Sequence, residues 1–242
     1  MWPQEALVLG DYLYVFAIDL IDAPSDIYWW RFRQVGGTIV VYDLENLSVP
    51  ETMVHDVPHI RGNPFGWGAL LHDGQIYLYA HEEVSGTYVA RLEPHQIRAP
   101  ETWTFWNGDS WVANVDQAAS VATDRLRVFT YGDRYAAAAL PSEDQRLHVF
   151  TAESPVGPWT LTAHIPLDAI YPDVPSYAYE PLLIYPLLVA TDGAEVVIAV
   201  NFLPLAPEDM LNDTTRYGPR FTTTVLPSGP DSINPEMPRA EP

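Results

Sequence analysis

Three side chains that can do chemistry stand shortly before apolar segments of this chain: Glu5, Trp67 and Glu180. Two carboxyl groups about 5–9.5 Å apart can cleave a glycosidic bond, one as proton donor and the other as base or nucleophile. An aromatic ring beside them can line the pocket and stack on a sugar face. These residue types favour carbohydrate chemistry, provided that the fold brings the apolar segments together.

Tyr185, Asn201 and Arg220 are further candidates for contact with a substrate. The planar guanidinium of Arg220 can hold hydroxyl groups or a carboxylate through paired hydrogen bonds. Each candidate also has a structural interpretation. Glu5 could be a solvated residue near the chain start, Trp67 a core aromatic, and Arg220 an ion-pair partner, and both interpretations stay open at the level of sequence.

Other kinds of site lack their patterns. His81-Glu82-Glu83 has no second histidine in the spacing of a zinc-protease helix. The chain shows no nucleophile-elbow serine, phosphate-binding glycine loop or calcium loop, and without cysteine it has no thiolate ligand or nucleophile. We therefore expect neither a metal nor a cofactor.

The charge balance limits the partners. The 242 residues carry 32 Asp and Glu against 12 basic residues, all of them arginine, for a formal net charge of -20. Such a charge repels the phosphates of nucleic acids and anionic membrane surfaces. No apolar run approaches the roughly 18 residues of a membrane helix. We expect no nucleic acid and no membrane insertion, and the sequence leaves the oligomeric state open.

An apolar hairpin with Gly and Asp adjacent in its turn occurs four times. The copies are LVLGDYLYVF (7–16), LLHDGQIYLYA (70–80), VFTYGDRYAAAA (128–139) and LVATDGAEVVIAV (188–200). The turn aspartates are 62, 60 and 59 residues apart, at Asp11, Asp73, Asp133 and Asp192. Gly and Asp tolerate the positive φ that tight hairpin turns require. The near-constant period indicates four copies of one structural unit.

Four such hairpins without a sustained helical period predict an all-β protein of the β-propeller class, each blade a four-stranded antiparallel sheet. Third strands are predicted at 37–44, 87–93, 146–153 and 220–226, and outer strands at 102–112 and 158–165. The starts of innermost strands meet at one mouth of a propeller, so we expect Glu5, Trp67 and Glu180 there, with Asp124 and Arg125.

The predicted propeller domain covers residues 1–227. Its four blades are expected at about 1–62, 63–123, 124–178 and 179–227. The remaining residues, 228–242, form a Pro-rich tail with little to bury, which we predict to be disordered.

Five segments resemble a family of five-bladed propellers related to glycoside hydrolases, first defined as a domain of unknown function and linked to arabinan hydrolysis. The segments are WPQEALVLGDYLYVF (2–16), VARLEPHQIRAPETWTFWNGDSW (89–111), SPVGPW (154–159), IYPLL (184–188) and YGPRF (217–221). The resemblance covers nearly the whole chain except the tail. It implies that Glu5 occupies the acidic position of the family's Trp-Pro-Gly-Asp motif.

Two departures from the family pattern bear on function. The first blade, with its Gly-Asp-Thr signature, has no counterpart here, which predicts either a truncated N-terminus or a true four-bladed ring. Tyr185-Pro186-Leu187 stands where His-Pro-Glu is usual, so a second polar group of the family site is absent.

Two functions follow from the resemblance and the residues. The first is a glycoside hydrolase-like propeller acting on a polysaccharide, most simply an arabinan-type furanoside, outside the cell or at its envelope. Glu5 would then be the general acid, its pKa raised by apolar Trp67 and Tyr185, with Glu180 as the second carboxyl group. The alternative is a non-catalytic propeller that binds carbohydrate or serves as a scaffold.

Overall fold

The computed structural model describes residues 1–23, 32–131, 134–139, 146–166, 178–190, 193–202 and 218–227, the last three ranges by their strands and strand pairing. The chain divides into two compact units. One unit comprises residues 1–128 and 154–158, and the other comprises residues 129–153 and 159–242.

The first sheet is antiparallel and follows chain order. Its strands are β1 (Trp2–Leu9), β2 (Tyr12–Asp22), β3 (Phe32–Asp43) and β4 (Thr52–Val54). The turn between β1 and β2 contains Gly10 at φ 57°. A two-stranded ribbon follows, formed by β5 (His59–Ile60) and β6 (Asn63–Pro64). The short β4 is a strand that the sequence pattern did not predict.

The second sheet has five strands, with the first of them at one edge. They are β7 (Gly68–His72), β8 (Gln75–Glu82), β9 (Gly86–Leu92), β10 (Thr104–Trp106) and β11 (Trp111–Val112). Asp73 and Gly74 between β7 and β8 have φ of 49° and 71°, the positive values expected of a tight hairpin turn.

The predicted outer strand 102–112 is interrupted rather than continuous. The side-chain oxygen of Asn107 accepts hydrogen bonds from the N–H groups of Asp109 and Ser110 at 3.0 and 2.8 Å. This local pairing replaces ladder hydrogen bonds and turns the chain, so β10 and β11 form a small hairpin.

The third and fourth sheets are also antiparallel meanders. The third contains β12 (Arg127–Tyr131), β13 (Arg134–Ala139), β14 (Arg146–Ala152) and β15 (Thr160–Pro166), and the fourth contains β16 (Ala178–Ala190), β17 (Gly193–Phe202) and β18 (Gly218–Pro227). β16 begins ten residues before the predicted start of its hairpin, at 188. The turn residues Asp133 and Asp192 lie outside the described residues, as does the predicted tail, 228–242.

Four successive antiparallel sheets confirm the all-β, β-propeller prediction. The number of blades in a complete ring and the blade boundaries stay predictions. Within the described residues the helices are three short 3-10 turns, and none is long and apolar enough to cross a membrane.

The core of the first unit lies between its two large sheets. One face of the first sheet packs against the second sheet through fully buried side chains, among them Phe16, Ile39, Leu78 and Trp103. The indole N–H of Trp103 donates to the Gln96 carbonyl at 3.0 Å, which satisfies its one polar atom. This face-to-face packing supports β1 and β7, which lie side by side.

Candidate functional site

Residues from the starts of three strands meet in the first unit. Glu5 lies in β1, Trp67 immediately precedes β7, and Arg127 is the first residue of β12. The Arg127 guanidinium joins them: it lies 3.4 Å from Glu5 Oε2, donates to the Trp67 carbonyl, and lies 3.9 Å from the centre of the Trp67 ring. We call Glu5, Trp67 and Arg127 the mouth cluster.

A β-bulge positions Glu5. Between Pro3, which pairs with Ala17, and Ala6, which pairs with Val15, two residues of β1 face one residue of β2. Such an extra residue bends a strand and re-aims its side chains. Glu5 Oε1 also accepts the N–H of Ala6 at 3.0 Å, which ties the carboxyl group to the bulge itself.

Burial dominates the electrostatics of Glu5. Its side chain is 18% exposed, and loss of water raises the pKa of the carboxyl group above its usual 4.5. The Arg127 charge and the Ala6 hydrogen bond lower the pKa, but by less than burial raises it. Among the described side chains, Arg127 is the charged group with a resolved effect on this pKa. Glu5 is therefore a carboxyl group that keeps its proton to higher pH than a solvated glutamate.

Trp67 is held by its backbone and by two arginines. The N–H groups of Gly66 and Trp67 both donate to the Tyr79 carbonyl at 3.0 Å, at the entry to β7. Arg125 lies 4.6 Å from the ring centre, in addition to Arg127. Within the described part of the chain, the buried indole Nε1 has no hydrogen-bond partner. A buried donor of this kind is rare in folded proteins.

Gly66 is the residue that admits Trp67 to this position. Its φ is 122°, which L side chains rarely adopt, and a Cβ atom there would lie 2.6 Å from the Phe16 side chain. Only glycine therefore allows the chain to pass over Phe16 immediately before Trp67.

Thr87 anchors the segment that carries the two arginines. The fully buried Thr87 hydroxyl donates to the Asp124 carbonyl at 2.6 Å and accepts the Leu126 N–H at 3.2 Å. Its backbone N–H donates to the Ala122 carbonyl at 2.8 Å. Gly86 permits this approach, because a Cβ atom there would lie 2.0 Å from the same Ala122 oxygen. The second sheet thereby sets the entry to β12.

His81 lies near the end of β8, in the electrostatic field of Arg125. Burial, and secondly the Arg125 charge, lower the pKa of His81 from 6.5 to about 4, against a smaller opposing effect of Glu82. His81 is therefore an uncharged imidazole at neutral pH, able to donate one hydrogen bond and accept another.

The structure brings together three of the residues that the sequence singled out, Glu5, Trp67 and Arg125. Glu180, Tyr185, Asn201 and Arg220 lie on strands of the second unit, and their side chains are outside the described part. In the backbone register Glu180 pairs with Asn201, and Arg220 pairs with Val200. Tyr185 lies within β16 rather than before it. The site roles of these four stay predictions.

Sequence reasoning missed Arg127 and His81. Arg127 stands two residues after Arg125 and immediately before VFTYGDRYAAAA, so the alternation of a strand would have put both side chains on one face. His81 was considered only as a zinc ligand. The available signal was its place near the end of the second strand of a predicted hairpin. In an antiparallel pair, that end lies at the same edge of the sheet as the start of the first strand.

The fold and the mouth cluster define an all-β, propeller-type protein with a buried acidic group at converging strand starts. The chain belongs to the family described as "Domain of unknown function (DUF5005)", whose profile matches residues 1–224. This agrees with the predicted resemblance to a domain of unknown function. No curated protein matches the sequence.

Several solved structures are loosely similar. The α-L-arabinofuranosidase PaAbf62A from Podospora anserina, in complex with cellotriose, is 11% identical, with 94% of this chain and 91% of that chain covered and a TM-score of 0.46. Zg3597, a family 117 glycoside hydrolase from Zobellia galactanivorans, is 10% identical, with 94% and 69% covered and a TM-score of 0.46. The GH43_1 enzyme from Xanthomonas citri, complexed with xylose, is 13% identical, with 98% and 94% covered and a TM-score of 0.37. No residue role transfers at such similarity.

Proposed function

We propose that this protein is a glycoside hydrolase-like propeller that acts on a polysaccharide, with arabinan-type furanosides as the substrate class and Glu5 as the proton donor. One observation carries the proposal: a mostly buried carboxyl group with a raised pKa lies where three strand starts meet, beside an aromatic ring. The motif resemblance supplies the substrate class. A polysaccharide substrate also places the working protein outside the cell or at its envelope.

Glu5 has the properties of a general acid. A glycosidic oxygen must receive a proton as its bond to the sugar breaks, and a carboxyl group that stays protonated toward neutral pH can supply it. Once Glu5 has lost the proton, its carboxylate lies 3.4 Å from the Arg127 guanidinium, whose positive charge stabilises it. Arg127 thus lies beside Glu5 both before and after the proton is transferred.

The second carboxyl group of the proposed mechanism is Glu180. Glycoside hydrolysis needs a base or nucleophile in addition to the proton donor, and Glu180 is an acidic residue that stands shortly before an apolar segment. Trp67, Tyr185, Asn201 and Arg220 are proposed as substrate contacts.

A second candidate function is carbohydrate binding without cleavage. It is favoured by the same electrostatic observation, because the charged side chain that acts on the pKa of Glu5 is the cation Arg127 rather than a second carboxylate. The two functions share the mouth cluster and differ in turnover.

Glu5→Gln tests the proposal. The variant keeps the shape and hydrogen bonding of Glu5 but cannot donate an acidic proton, so turnover of arabinan should fall by about a hundredfold or more. Glycan affinity, measured by calorimetry, should change little. Glu83→Gln, the same substitution at an exposed residue between β8 and β9, is the matched control and should behave as the wild type.

The outcomes separate the two candidates. Unchanged turnover in Glu5→Gln contradicts the role of Glu5 as proton donor. If the wild-type protein binds arabinan, arabinoxylan or a related glycan but releases no sugar from any of them, the binding function replaces the catalytic one. Absence of both binding and turnover across these glycans rejects the carbohydrate proposal.

A further inference from the structure

Two histidines face each other across neighbouring strands of the third sheet. His148 on β14 pairs directly with His164 on β15 in the antiparallel register. Their ring centres are 4.6 Å apart, with an angle of 85° between the ring planes. His164 is exposed and His148 is half-buried, so this pair reaches the solvent. It plays no part in the proposed glycan chemistry.

The ring spacing matches that of two imidazoles bound to one metal ion. A metal about 2.1 Å from a ring nitrogen lies about 3.2 Å from the ring centre, so two rings bound at a right angle about the metal have centres about 4.5 Å apart. Tetrahedral coordination would need about 5.2 Å by the same geometry. The observed 4.6 Å fits the right-angled, tetragonal arrangement.

Little movement is needed to aim both nitrogens at a common point. Rotation about the Cβ–Cγ bond turns an imidazole ring without displacing its centre appreciably. That torsion has a broad energy profile in histidine. The strand backbones fix the ring spacing, and side-chain rotation sets only the nitrogen directions.

We propose that His148 and His164 form a binding site for a divalent transition metal of tetragonal preference, Cu²⁺ or Ni²⁺, with water in the other coordination positions. Imidazole suits both ions, and Cu²⁺ binds most strongly in the general order of divalent metals. The net charge of -20 attracts a cation, and the absence of cysteine removes competing thiolates. The ion ties the outer strand β15 to β14.

This site differs in kind from a structural metal centre. Among the described residues, no group of three or more His, Cys, Asp and Glu side chains is arranged to hold a metal ion. With two protein ligands, the metal at His148 and His164 is exchangeable, so binding is tested by adding the ion rather than by finding it retained through purification.

Calorimetric titration of the tag-free protein with NiCl2, then CuCl2, tests the site. Excess magnesium is present throughout to occupy carboxylates. One site is expected in the wild type, and Cu²⁺ should bind more tightly than Ni²⁺. His148→Ala and His164→Ala should each weaken Ni²⁺ binding by about tenfold or more, because one imidazole cannot chelate. His95→Ala, which removes a largely exposed histidine on another element, is the matched control and should leave binding unchanged.

A stability measurement gives an independent readout. A ligand that binds the folded protein raises the unfolding midpoint, so Ni²⁺ should stabilise the wild type and the His95→Ala control but not the two single variants. Circular dichroism of each variant without metal confirms that it is folded. If His148→Ala and His164→Ala both bind Ni²⁺ as tightly as the wild type, or if the wild type binds none in excess magnesium, the proposal is overturned.

Discussion

Arg127 connects residues that are far apart in the chain. It contacts Glu5, 122 residues earlier, and the Trp67 carbonyl, 60 residues earlier, and its side chain is 8% exposed. A buried guanidinium requires partners for its charge and its donors. Glu5 provides the opposite charge, and both Glu5 and the Trp67 carbonyl accept hydrogen bonds from the same terminal nitrogen of Arg127. In return Arg127 limits the rise of the pKa of Glu5. The acidity of the proposed proton donor therefore depends on this one cation.

Removing the Arg127 charge should raise the pKa of Glu5 further. In Arg127→Met the desolvation of Glu5 persists while the attraction that favours its charged form is lost. The carboxyl ¹³C resonance of Glu5 should titrate at higher pH in Arg127→Met than in the wild type. Arg127→Lys, which keeps the charge, should titrate closer to the wild type. If the pKa of Glu5 is lower or unchanged in Arg127→Met, the Arg127 charge does not lower that pKa as assigned here.

Glu5 should also make stability depend on pH. Its pKa is raised in the folded state, so the folded protein holds this proton more tightly than the unfolded chain. The resulting stabilisation is complete below pH 4.5 and is lost as pH rises through the folded-state pKa. In urea titrations across this range, Glu5→Gln should lack that loss. Parallel pH profiles for the two proteins would contradict the raised pKa.

His81 should make stability depend on pH in the opposite direction from Glu5. Its folded-state pKa of about 4 lies below the ordinary 6.5, so the unfolded chain takes up this proton first. Its contribution to stability is present above pH 6.5 and is lost as pH falls toward 4. His81→Gln should show a flatter decline over this range in urea titrations. A His81 ring resonance that titrates near its ordinary value would contradict the prediction.

At the scale of elements, two glycines set the entries to β7 and β12. Gly66 passes over Phe16 just before Trp67, and Gly86 lets Thr87 approach the segment that leads into β12. Both have positive φ, of 122° and 98°. The strands themselves follow from local pattern, but where they begin relative to one another depends on these close approaches.

Gly66→Ala should destabilise the protein more than a glycine substitution in an open turn. Its Cβ atom would meet the Phe16 side chain at 2.6 Å, in addition to the strain of a positive φ. We expect a loss of about 2–4 kcal/mol in the free energy of unfolding. Gly74→Ala, with positive φ but nothing within 4 Å, should cost only about 1 kcal/mol. Equal losses in urea unfolding would show that the Phe16 contact carries no penalty.

At the scale of the whole molecule, the chain consists of two compact units built from consecutive antiparallel sheets. In the second unit the last strand, β18, pairs with β17 along its whole length, from Gly218 to Pro227. The Pro-rich tail, 228–242, follows directly. Pro227, the last paired residue, is therefore a boundary. Deletions that begin after it should be harmless, and deletions that enter β18 should be damaging.

Deletion of 228–242 should leave the thermal unfolding midpoint within about a degree of the wild type, since a disordered tail contributes no packing. Deletion of 218–242, which also removes β18, should lower the midpoint clearly because β17 loses its neighbour. Circular dichroism melts measure both. A large loss of stability on removing the tail alone would contradict its predicted disorder.

The sequence by itself determined the sheets. Apolar alternation and Gly/Asp turns are local signals, since strand period and turn φ depend on residues a few positions apart. They sufficed for the four hairpins, the all-β class and the choice of Glu5 and Trp67. They failed at β4, a three-residue strand that pairs through its neighbour β3, and within 102–112, where Asn107 turns the chain.

Only the tertiary structure decided what surrounds Glu5. The bulge between Pro3 and Ala6 arises from pairing with β2, and the contact with Arg127 depends on Thr87, which holds the segment that leads into β12. Burial removes water from Glu5, and Arg127 supplies a positive charge beside it. These two effects act on the pKa of Glu5 in opposite directions. Residue types along a strand leave both undetermined, because burial and long-range juxtaposition are properties of the folded chain.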